Sequence, residues 1–377
     1  VCRGYRGLKI VLDFFLNVRY NIFINNEGGK KIMIYAEVLE DEALKQYNEA
    51  LAQPFTLQGA LMADAHTGYS LPIGGVILTQ EMLVPAWVGY DIGCGMLAIP
   101  HNYCIHKYKD LIFKDIYNNI PVGFKHSPSP SHFDEFPNFS GIAMEIYKEK
   151  GGAFQLGSLG SGNHFIEISD NWIIIHCGSR GVGHGIASHY MKNCDFALSI
   201  FSEEGKNYLK DMETCEEWAL LNREIIAKSV IKILHQYSQG KADWSKLVNT
   251  THNHVRRLSH TDAFVHRKGA TQANKGQLGI IAGNMRDGSF LVRGKGNEES
   301  MCSASHGAGR VLGRRAAKKK LDFDEFEKSM SGILANVSTS TLDEAPLAYK
   351  NIYEVMELQK DLVEVVEHIK PVINIKG

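Results

Sequence analysis

Thirty-six glycines, gathered in short clusters between apolar runs, set the strongest limit on what this 377-residue chain can fold into. The clusters are not low-complexity sequence. Over residues 57–100 and 150–185, short apolar segments lead into Gly-rich loops, the pattern of strands entering tight turns and close backbone approaches. Ile173–Ile175 runs toward Gly178-Ser179-Arg180-Gly181, and Phe290–Val292 into Arg293-Gly294, in this manner. Helical periodicity marks residues 195–238, 323–333 and 348–369, and Arg314–Lys320 reads as a short helix with Ala316 and Ala317 inside it. Residues 101–150 are irregular, and Ser127–Ser140, with Pro128, Pro130 and Pro137, reads as a surface loop. Strands and helices do not alternate regularly, and there is no internal repeat, GxGxxG or GxxxxGK[ST] element. The expected class is therefore α+β with mixed sheets, not a doubly wound fold.

Hydrophobic residues at 44% and charged residues at 22% are enough to bury a core, which excludes a disordered chain. Seven cysteines without a CxxC pair fit a reduced, cytoplasmic protein. No apolar stretch is long enough to span a bilayer, so no membrane partner is expected. Val1–Tyr20 is broken by Asp13, Asn17 and Arg19 and lacks a signal-peptide layout. Glu27-Gly28-Gly29-Lys30-Lys31 just before Met33 resembles a translated ribosome-binding site. The expectation is a non-native or flexible extension over residues 1–32 and a catalytic domain over 33–377. The net charge is −1, but residues 267–320 hold twelve Lys and Arg against three Asp and Glu. Local positive potential of that kind, not a basic total, is what a phosphate-binding surface needs.

Four kinds of place carry chemistry: a carboxylate–thiol turn, a histidine after a Gly-rich turn, histidines at two further strand ends, and a His-Gly turn. In Val88-Gly89-Tyr90-Asp91-Ile92-Gly93-Cys94-Gly95, a carboxylate and a thiol stand three residues apart among glycines. Such a pair can hold a borderline divalent ion, and a thiolate can bridge two; a buried Cys beside a turn Asp fits the spacing equally well. His164 follows Asn163 after a Gly-rich turn, with Glu167 further along the emerging strand. His176 ends the Trp172–Ile175 run, and His252 precedes Asn253. Histidines at such strand ends suit ligands contributed by separate elements, or structural roles. The fourth is Ser305-His306-Gly307-Ala308-Gly309-Arg310. Backbone N–H groups in that turn, helped by a following helix N-terminus, can hold phosphate oxygens, and Arg310 can grip a phosphate bidentately. A neutral imidazole there can attack phosphorus; a structural His in an oxyanion loop is the plainer alternative.

Taken in order, these pieces resemble the RtcB family of RNA-splicing ligases. The resemblance rests on Asp64-Ala65-His66-Thr67-Gly68-Tyr69, Pro72-Ile73-Gly74-Gly75, Gly89–Gly95, Leu159–Glu167, His176–Gly181, His252-Asn253, Gly294–Ser300, Ser305–Arg310 and the closing Lys376-Gly377. It runs from about Asp64 to the end. The resemblance implies a GTP- and Mn²⁺-dependent ligase that joins 2′,3′-cyclic phosphate or 3′-phosphate RNA ends to 5′-hydroxyl ends, in RNA repair or tRNA splicing. Two Mn²⁺ would be held by Asp91, Cys94, His164, His176 and His252, with Cys94 bridging. His306 would carry GMP. The implied GTP contacts are Asn163, His164, Glu167, His252, Asn253, Ala282, Gly283, Asn284, Met285, Ser289, His306, Gly307, Ala308, Gly309 and Lys376. Glu167 would read guanine through N1–H and N2–H₂. Arg180, Arg256, Arg257 and Arg310 are expected on RNA phosphates. A monomer is expected, and the motifs name no activating protein.

One stretch departs from the family pattern. Ala282-Gly283-Asn284-Met285-Arg286 stands where the family has Pro-Gly-Ser/Thr-Met-Gly, so Arg286 puts bulk and charge where a small residue is expected. That departure favours a second reading, a Mn²⁺-dependent RNA cyclic phosphodiesterase that no longer guanylylates; a third reading, independent of it, is an RNA-binding repair accessory without ligation. Residues 101–150 are too divergent for residue-level transfer.

Overall fold

The apolar runs between the glycine clusters become strands of two six-stranded sheets. A computed structural model describes the backbone of residues 22–25 and, in full, residues 30–127 and 137–377. Most of the expected extension over residues 1–32, and Pro128 and Pro130 of the expected surface loop, lie outside the described residues. Lys31 and Ile32 join Met33 in the strand Lys31–Ile34. The first sheet runs, in spatial order, Ile22–Asn25, Lys31–Ile34, Thr56–Tyr69, Leu71–Gln80, Ala263–Lys268, Asn253–Arg257. The second runs Val248–Thr251, Gly95–Pro100, Trp172–Cys177, Phe165–Ile168, Ile373–Lys376, Leu334–Ala335. Pairing is antiparallel except for Lys31–Ile34 on Thr56–Tyr69 and Leu334–Ala335 on Ile373–Lys376. The class is α+β, as expected, and the sheets are not doubly wound.

Both faces of the second sheet are covered, which is why Trp172–Cys177 reads as a continuous apolar run and not as an alternation. One face, with Leu97, Ile99, Ile166, Ile173 and Ile175, packs on Ile226, Val230 and Leu234 of the helix Glu203–Tyr237. The other, with Met96, Ala98, Phe165 and Ile174, packs on Ile280, Leu291 and Ile369 of a three-stranded sheet. The long helix starts where Ser202 Oγ accepts the Gly205 N–H and Glu203 and Glu204 face the positive end of the helix dipole.

Residues 348–369 depart from the helical reading. A helix spans only Ile352–Leu358, and Val363–Ile369 is a strand paired with Ser289–Gly294. The β-branched residues Val363, Val365 and Val366 favour that pairing over the helical spacing of the segment. The other helices are shorter than the periodicity suggests: Phe323–Ser329 within 323–333, and Glu203 as the first helical residue of the long helix in 195–238. Arg314–Lys320 is helical as read. Among the described residues no helix is long and apolar enough to cross a membrane.

Candidate active site

Strand register gathers the chemistry at one end of the second sheet. Cys94 precedes Gly95, which pairs with Cys177, and Met96 pairs with His176. His164 precedes Phe165, which pairs with both His176 and Lys376. His252 follows Thr251, which pairs with Gly95. Cys94, His176 and His252 form one group of potential metal ligands, and Asp91, Cys94 and His164 a second, sharing the thiol. Cys94 Sγ lies 3.3 Å from His176 Nε2 and 3.6 Å from His164 Nε2. His164 Nε2 is 3.0 Å from Asp91 Oδ2, and His176 Nε2 is 3.4 Å from His252 Nε2. A Cβ on Gly178 would come within 2.2 Å of Asp91 Oδ1, so only glycine lets this carboxylate lie where it does.

The imidazoles are set for a cation by their outer nitrogens. His164 Nδ1 lies 3.0 Å from Leu159 O, and His176 Nδ1 lies 3.0 Å from Asn163 O. A carbonyl only accepts, so both Nδ1 atoms carry hydrogen. His176 Nε2 is then left with its lone pair toward the cluster, whereas burial at His164 is outweighed by Cys177 and Asp91, which raise its pKa, so its Nε2 holds a proton against Asp91 that a cation would replace. Burial, with neighbouring positive groups, holds His176 and His252 well below the usual imidazole range. Burial and then Asp91 push the Cys94 thiol up to about 12. A thiol that keeps its proton until a cation replaces it, beside the neutral imidazoles of His176 and His252 and the Asp91 carboxylate, fits a borderline divalent metal.

Sequence reading missed the groups that support this cluster. Arg223, fully buried, donates through Nη1 to Gly93 O at 3.0 Å and Cys177 O at 2.7 Å, the carbonyls next to Cys94 and His176. The signal was present: Ala219, Asn222, Arg223, Ile226 and Val230 share one apolar helical stripe. Asp64, quoted for resemblance only, is fully buried, with Oδ2 2.7 Å from His306 Nδ1 and accepting the N–H groups of His306 and Gly307 at 3.1 Å. Burial opposes its charge, but His306 more than offsets this and lowers its pKa. The His306 and His252 ring centroids are 4.8 Å apart, which sets the imidazole against the metal cluster. Gly309 has φ +75°, and a Cβ there would meet Asp64 O at 2.1 Å, so this turn requires glycine.

His306 opens on a cavity of about 280 Å³. Of the expected nucleotide contacts, Asn163, Ala282, Gly283, Asn284, Met285, Gly307, Ala308, Gly309 and Lys376 line it with His306. Glu167 and Ser289 do not line it and are buried. Asn374, which does line it, donates to Glu167 Oε2 at 3.3 Å. Glu167 Oε1, Ser289 Oγ and Asn374 Oδ1 are buried without hydrogen-bond partners, which leaves unspent polar capacity in this region. Lys376 Nζ is 2.7 Å from Glu344.

Other expectations meet different geometry. No helix follows the His306 turn directly: the next begins at Arg314, so the expected dipole contribution is absent, and two turn amides already serve Asp64. Asn253 lines neither of the site's two cavities; it donates to Asp91 O at 3.1 Å and accepts the Gly269 N–H at 2.7 Å, bracing the Asp91 loop. Arg310 lines the nucleotide-side cavity, but its donors go to Leu312 O, Glu344, Tyr349 Oη and Asp343 O. Arg256 and Arg257 are paired with Glu216 and Asp262, away from both cavities. Arg180 lines the second cavity. Arg286 turns onto Asp287 at 2.7 and 3.0 Å and lines neither cavity. Asn284 closes a turn, accepting from Arg286 N and Asp287 N and donating to Asp287.

A family model described as tRNA-splicing ligase RtcB matches residues 46–145 and 142–377. The chain belongs to the RtcB family. The RNA-splicing ligase RtcB of Escherichia coli (strain K12) is 32% identical, over 96% of this chain and 100% of the relative. The tRNA-splicing ligases RtcB of Nanoarchaeum equitans and Archaeoglobus fulgidus are each 28% identical, over 96% and 90% of this chain and 96% and 89% of those relatives. The RtcB match begins upstream of Asp64 and includes residues 101–150, which are less irregular than expected: Lys109–Asn119 and Gly141–Glu149 are helices. The protein is accordingly an RNA ligase enzyme whose substrate is RNA, in tRNA splicing or RNA repair.

Proposed function

We propose that the protein is a GTP- and Mn²⁺-dependent ligase that joins RNA 3′-phosphate or 2′,3′-cyclic phosphate ends to 5′-hydroxyl ends through GMP carried on His306. The observation that carries this reading is the placement of His306, held at Nδ1 by Asp64 and packed on His252 at the wall of a cavity. Asp91, Cys94, His164, His176 and His252 are the residues that would hold two Mn²⁺. Bound there, the metal supplies positive charge that neutralises the phosphates.

With Nδ1 protonated toward Asp64, His306 Nε2 keeps the lone pair that attacks the α-phosphorus of GTP; a P–N bond forms, the α–β P–O bond breaks and pyrophosphate leaves. Asp64 stabilises the positive charge that the ring gains. Glu167, with Asn374 donating to it, would accept guanine N1–H and N2–H₂ as a carboxylate, so these two donors, which adenine lacks, must favour the ionised form over the protonated one that burial holds up to about 8. A 2′,3′-cyclic phosphate end is first opened by water to the 3′-phosphate. The RNA 3′-phosphate then takes GMP as the His306 P–N bond breaks, and the 5′-hydroxyl of the second RNA, losing its proton, displaces GMP to form the phosphodiester. The test is incubation with α-labelled GTP and Mn²⁺. An acid-labile label present in the parent and missing from His306→Ala supports the assignment. No covalent label in the parent protein rejects it.

A further inference from the structure

We propose that the second cavity, on the Asp91–His164 side of the metal cluster, seats the terminal base of a single-stranded RNA on a platform made by Tyr90 and His184. The proposal rests on the RNA-ligase reading for its ligand class. The cavity holds about 610 Å³ and is lined by Tyr90, Phe124, Lys125, Lys150, Arg180 and His184, with the metal-cluster residues Asp91 and His164 at its inner end. It shares Asn163 with the His306 cavity, so the two spaces adjoin beside the metal cluster.

The rings are arranged for stacking. Tyr90 and His184 are stacked 4.9 Å apart at 20°, and Tyr69, outside the cavity lining, meets Tyr90 at 6.1 Å with a tilt of 38°. Phe124 stands 95% exposed at the same cavity. Its position follows from backbone: Leu159 N donates to Pro121 O, and Gly123 N to Gly160 O at 2.6 Å, which ties this segment to the loop before His164. Positive charge accompanies the rings. Arg180, at φ +59°, donates Nη2 to Gly123 O, and its buried Nε has no partner. Lys125 is exposed on the same wall. The acidic lining residues are Asp91, a metal-cluster donor, and Glu149, paired with Lys150 at 2.9 Å. Base faces over aromatic rings with cations along the backbone are how single strands are held, and a duplex would hide those faces.

The experiment measures equilibrium binding of fluorescent RNA oligonucleotides to the Mn²⁺-loaded protein without GTP. One oligonucleotide ends in a 3′-phosphate and another in a 5′-hydroxyl, each made with an intact or an abasic terminal nucleotide. For at least one end, removing the base weakens binding to the parent roughly five- to 150-fold. In His184→Ala that penalty vanishes, and His184→Phe restores it. The responding end identifies which RNA piece occupies the cavity. Abasic and intact ends that bind the parent alike, or a penalty undiminished in His184→Ala, overturn the proposal. Because no GTP is present, loss of the guanylylation reading would leave this result standing.

Discussion

Asp64 Oδ2 lies 2.7 Å from His306 Nδ1 and also receives the N–H groups of His306 and Gly307, so one fully buried carboxylate sets both the ring and the backbone of the residue assigned as nucleophile. Asp64→Asn keeps the size and removes the charge. Guanylyl transfer from labelled GTP is expected to slow about 10²-fold or more, with bound metal unchanged, because metal ligation does not pass through Asp64. Parent-like transfer by this variant would reduce Asp64 to a structural anchor.

Arg223 ties the two carbonyls beside Cys94 and His176. Arg223→Met removes those bonds and leaves the carbonyls buried. A loss of about 2–5 kcal/mol in unfolding free energy is expected, together with metal binding weakened about 10- to 100-fold. Denaturant titration and metal calorimetry measure the two separately, and a variant that loses stability while keeping parent metal affinity rules out the bracing role.

The Glu167 carboxyl is pushed up to about 8 by burial, against an ordinary value of 4.5. Between those values the folded protein keeps a proton that the unfolded chain has released. This group's contribution is therefore complete below the lower value and is lost as pH rises through the upper one. Without nucleotide, Glu167→Gln should flatten that part of the stability-versus-pH curve across roughly pH 4.5–8. Parallel curves for parent and variant in urea melts would contradict the shift.

A Cys94 thiol held at about 12 must give up its proton to bind metal. Metal binding should release at least one proton near neutral pH, and affinity should rise about tenfold per pH unit for each proton released. Calorimetry in buffers of different ionisation enthalpy counts the protons; identical heats in all buffers would argue against thiolate ligation.

Arg286 grips Asp287 and stays out of the His306 cavity. Arg286→Gly should leave the KM for GTP within about two-fold of the parent, as expected of a surface change away from the site. A large fall in KM would mean that the side chain enters the cavity when nucleotide binds.

Glycine turns and strand ends drew attention to Asp91, Cys94, His164, His176, His252 and His306 but left structural roles open; it was the resemblance to the RtcB family that joined them into one site, and the fold does bring Asp91, Cys94, His164, His176 and His252 together. What could not be read was what lies across from them. The partner of His306 is 242 residues away, and Arg223 looks like any surface cation until its helical stripe is traced. Arg256 and Arg257 misled for the complementary reason: local charge says nothing about Glu216 and Asp262, which neutralise it in the fold. The Val363–Ile369 strand was hidden because its pairing with Ser289–Gly294 outweighs a weak helical spacing.

The strand Ile373–Lys376 lies inside the second sheet, between Phe165–Ile168 and Leu334–Ala335. A chain cut before Ile373 would lack an interior member of the sheet that carries the histidines, and with it the register partner of Phe165–Ile168.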